Sequence, residues 1–253
     1  MKLHYRVMGE GEPLFILHGL FGSGDNWQTL AKQYADHFEV YLIDARNHGK
    51  SPHSEVFNYE VMAEDLLELI FDLQLMQVNI LGHSMGGKTA MFFAKMRPEL
   101  VHRMVIADMG VKGYSSHHDL IIKGLLSIDF EQMTSRTEVD EALSEYVPDL
   151  GTRSFLTKSL YWIEKGKLAW RMNVEVIAEN LEKVMIGLPE GDVDIETLFL
   201  AGANSDYLPE TDFAQVRKHF PEAEFITLPD AGHWLHADQP ALFLDESKRF
   251  LLS

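Results

Sequence analysis

The sequence contains no cysteine, and it has few basic residues for its length. Its 253 residues include 22 Lys+Arg against 39 Asp+Glu, which gives a formal net charge of −17. Without cysteine the chain has no disulfide, no thiolate metal ligand and no cysteine nucleophile. A surface this acidic repels nucleic-acid phosphates and anionic membranes, so the composition predicts neither as a partner.

Long hydrophobic runs are also missing. No stretch reaches the ~18 apolar residues that a membrane span requires. The first residues, Met1 to Val7, alternate polar and apolar side chains and lack the apolar core of a signal peptide. Since a chain without cysteine suits a reducing compartment, we expect a cytoplasmic protein. We expect it to be a monomer or a homodimer. Its length and 46% hydrophobic residues are enough for a full core.

One stretch, 78–87, combines an apolar run with the motif Gly82-His83-Ser84-Met85-Gly86, and a helical pattern follows from Lys88 to Met96. A strand that turns into a helix at a single residue forces that residue toward positive φ and needs small neighbours. Gly82 and Gly86 supply that room. The pattern therefore predicts a nucleophile elbow that exposes the Ser84 hydroxyl.

Apolar runs alternate with helical patterns on both sides of this stretch. The runs are 14–17, 40–43, 78–81, 104–107, 197–200 and 224–228. Such alternation predicts an α/β fold with a doubly wound, mostly parallel sheet. Ligands bind at the carboxyl ends of the strands in these sheets. His18, Asp44, Ser84 and Asp108 lie at the ends of four of the predicted strands.

The alternation stops between Val111 and Glu190. This stretch contains only helical patterns, without a convincing strand: 119–128, a helix beginning at Thr137, 153–162, and a helix capped by Asn173. We therefore predict a helical cap at 111–190, inserted into a core made of 1–110 and 191–253. Aromatic residues of the insertion are available to line a pocket.

A serine hydroxyl becomes a nucleophile when a base takes its proton, and histidine suits this role because its pKa lies near working pH. Of twelve histidines, His233 is the best candidate. It follows the last predicted strand, beside Gly232 and ahead of the final helix. For His18 and His83, which lie within other motifs, we favour a backbone or packing role.

Four motifs together resemble the α/β-hydrolase superfamily and, more narrowly, small bacterial serine esterases and thioesterases of the acyl-CoA esterase type. They are 17–20, 44–51, 82–87 and 231–234. The resemblance covers about 3–108 and 192–252, and it implies an oxyanion hole made by the backbone N–H groups of Leu20 and Met85. The candidate substrate-binding residues are Phe21, His83, Trp162 and Trp234.

The acid that would orient His233 is open between two carboxylates. In most of the superfamily it stands three residues after a strand-ending glycine, and counting from Gly202 that place is Ser205. Asp206 stands one residue further on. Asp108, after the preceding strand, is the position that some members use, including the esterase group resembled here. We favour Asp108, with Ser205 as an auxiliary hydrogen-bonding residue and Asp206 as the alternative acid.

The leading hypothesis is hydrolysis of a small carboxylic ester or thioester through an acyl-Ser84 intermediate and without a cofactor. Short to medium acyl chains are expected, and acyl-CoA is among the candidate substrates. The alternatives are a cofactor-free perhydrolase of the haloperoxidase kind, a carbon–carbon bond hydrolase, and a non-enzymatic ligand-binding protein. No metal site is predicted. The nearest cluster is His117-His118-Asp119, and adjacent residues on a helix point in different directions.

Overall fold

The protein is described by a computed structural model that covers residues 1–115 and 118–253. Seven strands of the described chain form one sheet: β1 Tyr5–Met8, β2 Glu12–Leu17, β3 Phe38–Ile43, β4 Val78–His83, β5 Val101–Ala107, β8 Thr197–Gly202 and β9 Glu224–Leu228. Their order across the sheet is β1-β3-β2-β4-β5-β8-β9. β1 runs antiparallel to β3, and the other neighbouring pairs of this sheet are parallel. The predicted fold class is confirmed.

Helices cover both faces of the sheet. They are α1 Gln28–Tyr34, α2 Tyr59–Asp72, α3 Met85–Met96, α8 Phe213–Val216, α9 Leu235–Asp238 and α10 Pro240–Leu251. Because successive side chains of a strand point to opposite faces, Phe15 of β2 joins a buried cluster with α2 and α3, whereas Leu14 joins one with α1 and α10. The strand ends are thus held from two sides.

Two helices of the core are each preceded by a 3₁₀ turn. The turn at Gly24–Trp27 leads into α1, and within it the Asn26 side chain accepts a hydrogen bond from the Ser23 N–H at 2.8 Å. The turn at Glu210–Asp212 leads into α8, which is a single turn long.

The insertion, residues 111–190, contains helices and also a β-hairpin. Its described elements are α4 Asp119–Leu126, α5 Arg136–Ser144, α6 Leu150–Thr157, β6 Leu160–Glu164, β7 Lys167–Trp170 and α7 Val174–Glu179. The prediction of an insertion without strands was therefore wrong. The expected helix over 153–162 ends at Thr157, and the chain turns back at Gly166, whose φ of 84° suits glycine.

Local capping explains the other helices of the insertion. α5 begins at Arg136, one residue before the predicted start, because the Ser135 side chain accepts from the Glu138 N–H in a capping box. α7 is capped by the Asn173 side chain, as predicted.

The insertion begins and ends at the edge of the sheet where the strands finish. The Leu188 N–H donates to the Val111 carbonyl at 2.7 Å, and the Tyr114 N–H donates to the Met185 carbonyl at 2.8 Å. These bonds hold the two ends of the insertion together. Among the described residues, no helix combines the length and the apolar character needed to cross a membrane.

Candidate active site

The corner between β4 and α3 presents Ser84. Its φ is 51° and its ψ is −118°, a conformation that β-carbon-bearing residues rarely adopt. A Cβ at Gly82 would lie 2.5 Å from the Gly86 carbonyl oxygen, and a Cβ at Gly86 would lie 2.3 Å from that of Leu17. Glycine is required at both places because the backbones touch.

The structure brings Ser84, His233 and Asp108 together in a hydrogen-bonded row. The distance from Ser84 Oγ to His233 Nε2 is 3.0 Å, and that from His233 Nδ1 to Asp108 Oδ2 is 2.7 Å. Since a carboxylate only accepts, Nδ1 carries the proton and Nε2 is left to accept from the serine hydroxyl. This tautomer is the one that a general base requires.

Asp108 lies fully buried at the end of β5, and several donors face it. The Gly202 N–H donates to its Oδ1 at 3.1 Å, and the Ser205 hydroxyl donates to its Oδ2. Asp206, the alternative acid, is exposed. The one-residue difference from Ser205 turns its side chain to solvent, so the geometry favours Asp108.

The backbone N–H groups of Leu20 and Met85 are the two candidate oxyanion donors beside Ser84. Met85 is the first residue of α3, so its N–H has no carbonyl within the helix to bind. Among the described residues, neither N–H group is a donor in the backbone hydrogen bonds of turns, loops and helix caps. Both are available to an oxyanion, and the helix N-terminus favours negative charge there.

A buried histidine positions the loop that carries Leu20. The Phe21 N–H donates to His48 Nε2 at 3.1 Å, while His48 Nδ1 donates to the Arg46 carbonyl at 2.9 Å. Burial lowers the pKa of His48 to about 3, so the ring stays neutral and Nε2 remains an acceptor. Phe21 itself has a φ of 64°, and this bond holds it there.

His83 supports the backbone of His233. Its Nε2 donates to the His233 carbonyl at 2.8 Å, and burial lowers the pKa of His83 well below its ordinary value. The neutral ring therefore fixes the backbone of the general-base candidate in the loop after the last strand. This matches the backbone role expected for His83.

Comparison with known proteins gives consistent results. The model of a family described as alpha/beta hydrolase fold matches residues 12–133. A zebrafish (Danio rerio) protein named sn-1-specific diacylglycerol lipase ABHD11 is 38% identical to this chain, over 96% of this chain and 79% of the zebrafish protein. The chain belongs to the α/β-hydrolase family. Esterase YbfF of Escherichia coli is 30% identical over 99% of both chains, and a solved structure titled Marine microorganism esterase is 43% identical with a TM-score of 0.96, over 98% of this chain and 99% of that one.

In this α/β hydrolase a cavity of about 570 Å³ opens above Ser84 and His233. Three of the residues predicted to bind substrate, Phe21, His83 and Trp234, line it. Trp162 does not line it. Trp162 lies on β6 of the insertion with 47% of its surface exposed.

Two aromatic contacts support this site; sequence patterns did not indicate Tyr207, whereas Phe155 is one of the insertion aromatics available to line a pocket. The Tyr207 ring stacks on the His233 ring with centroids 3.7 Å apart, and Phe155 of α6 packs on Trp234 at 4.6 Å. Both contacts join residues far apart in the chain. The only local signal for Tyr207 is its place two residues after Ser205, whose Oγ accepts from the Tyr207 N–H at 3.2 Å.

Lys88 is a second feature that the sequence patterns did not reveal. It lies on α3, fully buried, and its Nζ donates to the carbonyls of Gly110 and Lys112 at 2.7 Å each. These bonds brace the segment that follows Asp108. Burial lowers the pKa of Lys88 to about 7.

No group of His, Cys, Asp and Glu side chains within 1–115 and 118–253 is arranged to hold a metal ion. Of the cluster His117-His118-Asp119 noted in the sequence, His117 lies outside the described residues.

Proposed function

We propose that this protein hydrolyses carboxylic esters, with Ser84 as nucleophile, His233 as general base and Asp108 as the acid that orients it. The observation that carries the proposal is the row of hydrogen bonds from Ser84 Oγ through His233 to Asp108, at the floor of an open cavity. The esterase and lipase names of the relatives support the same chemistry.

The reaction proceeds through an acyl-Ser84 intermediate. As Oγ attacks the ester carbonyl carbon, His233 Nε2 takes the hydroxyl proton, and the N–H groups of Leu20 and Met85 bind the oxyanion. Nε2 then gives the proton to the alcohol oxygen, which leaves. Water, deprotonated by Nε2 in turn, attacks the acyl carbon; the bond from that carbon to Ser84 Oγ then breaks, Nε2 returns the proton to Oγ, and the carboxylic acid is released.

Asp108 and Ser205 act through His233. The buried carboxylate keeps Nδ1 protonated and stabilises the imidazolium that forms when Nε2 takes the proton. The Ser205 hydroxyl and the Gly202 N–H bind the Asp108 carboxylate. Ser205 is thus a positioning residue for the acid.

The insertion, 111–190, serves as a cap that shapes the entrance to the site. Ile121, Thr152 and Phe155 of its helices line the large cavity together with Ser84. A substrate must pass between these residues and the core, so the cap selects by size and polarity.

Thioesters, including acyl-CoA, are the second substrate class, because they give the same acyl-Ser84 with a thiol as leaving group. Two carboxylates, Asp149 and Asp238, line the large cavity, and the whole chain has a formal net charge of −17. These charges repel the phosphates of coenzyme A. Uncharged esters are therefore the preferred class.

A fluorophosphonate probe tests the nucleophile directly. The wild-type protein should be labelled and should hydrolyse p-nitrophenyl acetate, whereas Ser84→Ala should lose both properties. Ser144→Ala, at an exposed serine of α5, is the matched control and should behave as wild type. A folded wild-type protein that takes no label, or a Ser84→Ala protein that still hydrolyses esters, would contradict the proposal. Turnover that requires hydrogen peroxide would point to perhydrolysis instead.

A further inference from the structure

Two spaces of very different size adjoin Ser84 in the described chain. The large cavity, about 570 Å³, is lined by His233. The second is a crevice of about 20 Å³, lined by Ser84, by the oxyanion residues Leu20 and Met85, and by Met109, Val184 and Met185. His233 is not among the residues that line the crevice.

The stereochemistry of acyl transfer decides which part of an ester enters each space. The tetrahedral carbon has four neighbours: Ser84 Oγ, the oxyanion, the leaving oxygen and the acyl chain. The oxyanion points to the N–H groups of Leu20 and Met85, and the leaving oxygen must lie within reach of His233 Nε2 to receive its proton. The leaving alcohol thus extends into the large cavity. The acyl chain takes the remaining direction, toward the crevice beside the oxyanion residues.

The crevice is small because side chains of the core and of the insertion pack closely around it. Tyr59, which also lines it, is 1% exposed, and its hydroxyl donates to the Val184 carbonyl at 2.6 Å. Met109 and Val184 are 4% and 2% exposed. A space of this size holds about one water molecule. It accepts the methyl of an acetyl group, admits the two further carbons of a butyryl group only if the methionine side chains shift, and excludes a long chain.

The large cavity has the opposite properties. It is wide enough for a drug-sized group, and Phe155, Trp234 and Tyr207 give it apolar walls. The carboxylates of Asp149 and Asp238 lie at the same cavity. It suits a bulky, uncharged alcohol.

We propose that the substrates are esters of short carboxylic acids, from acetyl to about butyryl, with bulky uncharged alcohols, and that Met109, Val184 and Met185 set the limit on acyl length. This inference rests on the proposed function, because it assumes that Ser84 attacks and that His233 protonates the leaving group.

Two isomeric esters test the inference on the wild-type enzyme. Octyl acetate and ethyl octanoate have the same composition and differ in which side of the ester carries the long chain. We expect kcat/KM for octyl acetate to exceed that for ethyl octanoate by at least about 100-fold, since a single methylene that does not fit an apolar pocket already lowers kcat/KM by about 10- to 200-fold. Equal rates, or a preference for ethyl octanoate, would overturn the inference.

Enlarging the crevice should relax this selectivity. Met109→Ala and Met185→Ala are each expected to lower the octyl acetate to ethyl octanoate ratio at least about tenfold, mainly by raising kcat/KM for ethyl octanoate. Met76→Ala is the matched control, at a methionine that is 85% exposed, and should leave the ratio unchanged. A ratio that stays at the wild-type value in both crevice variants would overturn the assignment of the walls.

Labelling of Ser84 by the fluorophosphonate probe separates this inference from the proposed function. If Ser84 takes the fluorophosphonate label and ethyl octanoate is still preferred, the acyl limit is wrong and the hydrolase remains. If Ser84 takes no label, the proposed function fails and the inference fails with it. Faster hydrolysis of acetyl-CoA than of octyl acetate would overturn the preference for uncharged alcohols.

Discussion

The edge of the sheet that presents Ser84 and the hairpin of the insertion differ in how tightly they are packed. At the elbow, Gly82 and Gly86 leave no room for a single carbon, and Asp108 is fully buried. At the hairpin, a Cβ added to Gly166 would meet no atom within 4 Å, and Ile163 is 55% exposed. The groups that need fixed distances thus lie in the tightly packed region, while the loosely packed hairpin tolerates change.

The largest effect is expected in the tightly packed region, at Asp108. Asp108→Asn should lower kcat by about 10⁴-fold, the loss known for the same change in a serine protease triad, because an amide next to Nδ1 favours the wrong tautomer of His233. Ser205→Ala should cost far less, and Asp206→Asn should stay within about tenfold of wild type. Steady-state kinetics on p-nitrophenyl acetate measure all three. An Asp108→Asn enzyme within about tenfold of wild type would assign the acid elsewhere.

A pair of glycine substitutions compares the packing of the two regions directly. Gly86→Ala places a Cβ 2.3 Å from the Leu17 carbonyl oxygen, so we expect a loss of about 3 kcal/mol or more in the free energy of unfolding. A Cβ at Gly166 would meet no atom within 4 Å. Gly166→Ala should therefore lower the free energy of unfolding by only about 1 kcal/mol, the cost of positive φ for alanine. Denaturant unfolding monitored by circular dichroism gives both values. Equal losses would mean that the hairpin is as constrained as the elbow.

Acid should destabilise the tightly packed region through its buried histidines. Burial lowers the pKa of His48 and of His236 to about 3, from 6.5. Between pH 6.5 and about pH 3 these histidines bind protons in the unfolded chain but not in the folded chain. Their contribution to stability is therefore complete above pH 6.5 and falls as the pH drops toward 3. The slope is about 1.4 kcal/mol per pH unit for each histidine.

His48→Gln tests this dependence, because glutamine offers a donor and an acceptor to the partners of His48 without titrating. Its unfolding free energy should fall less steeply between about pH 6 and pH 4 than that of wild type. An unchanged slope would show that His48 is not among the groups responsible.

The smallest effect is expected at the exposed face of the hairpin. Trp162→Ala should change the free energy of unfolding by no more than about 0.5 kcal/mol, and KM by less than about twofold. Trp234→Ala, at the cavity wall, should raise KM several-fold for esters of bulky alcohols. A large rise in KM for Trp162→Ala would restore Trp162 to the substrate-binding residues.

Much of the site follows from local sequence. The elbow around Ser84, the glycine-rich loop before Leu20 and the loop holding His233 each follow an apolar run, and in a parallel sheet such loops meet at one edge. The place of Asp108 after the neighbouring strand follows the same rule. The preference for Asp108 over Asp206 rested on the family resemblance and not on this rule, because the path of the chain after β8 decides which side chain faces His233.

The hairpin of the insertion could not be foreseen in the same way. Residues 153–162 have a helical pattern as far as Thr157, but β6 forms because β7 pairs with it, and the Arg171 N–H donates to the Ser159 carbonyl at 2.9 Å. Strand pairing of this kind depends on partners outside the local window. The stacking of Tyr207 on His233 and the pairing of Phe155 with Trp234 could not be foreseen for the same reason.

Local sequence alone was enough to predict the doubly wound sheet, the corner at Ser84 and the position of His233, because hydrophobic period and glycine placement act over a few neighbouring residues. Three features required the folded chain: the bond from His233 to Asp108, the stacking of Tyr207 on His233, and the presence of a crevice of about 20 Å³ beside a cavity of about 570 Å³. Those features depend on distances between segments that are far apart in the chain, and long-range packing sets such distances.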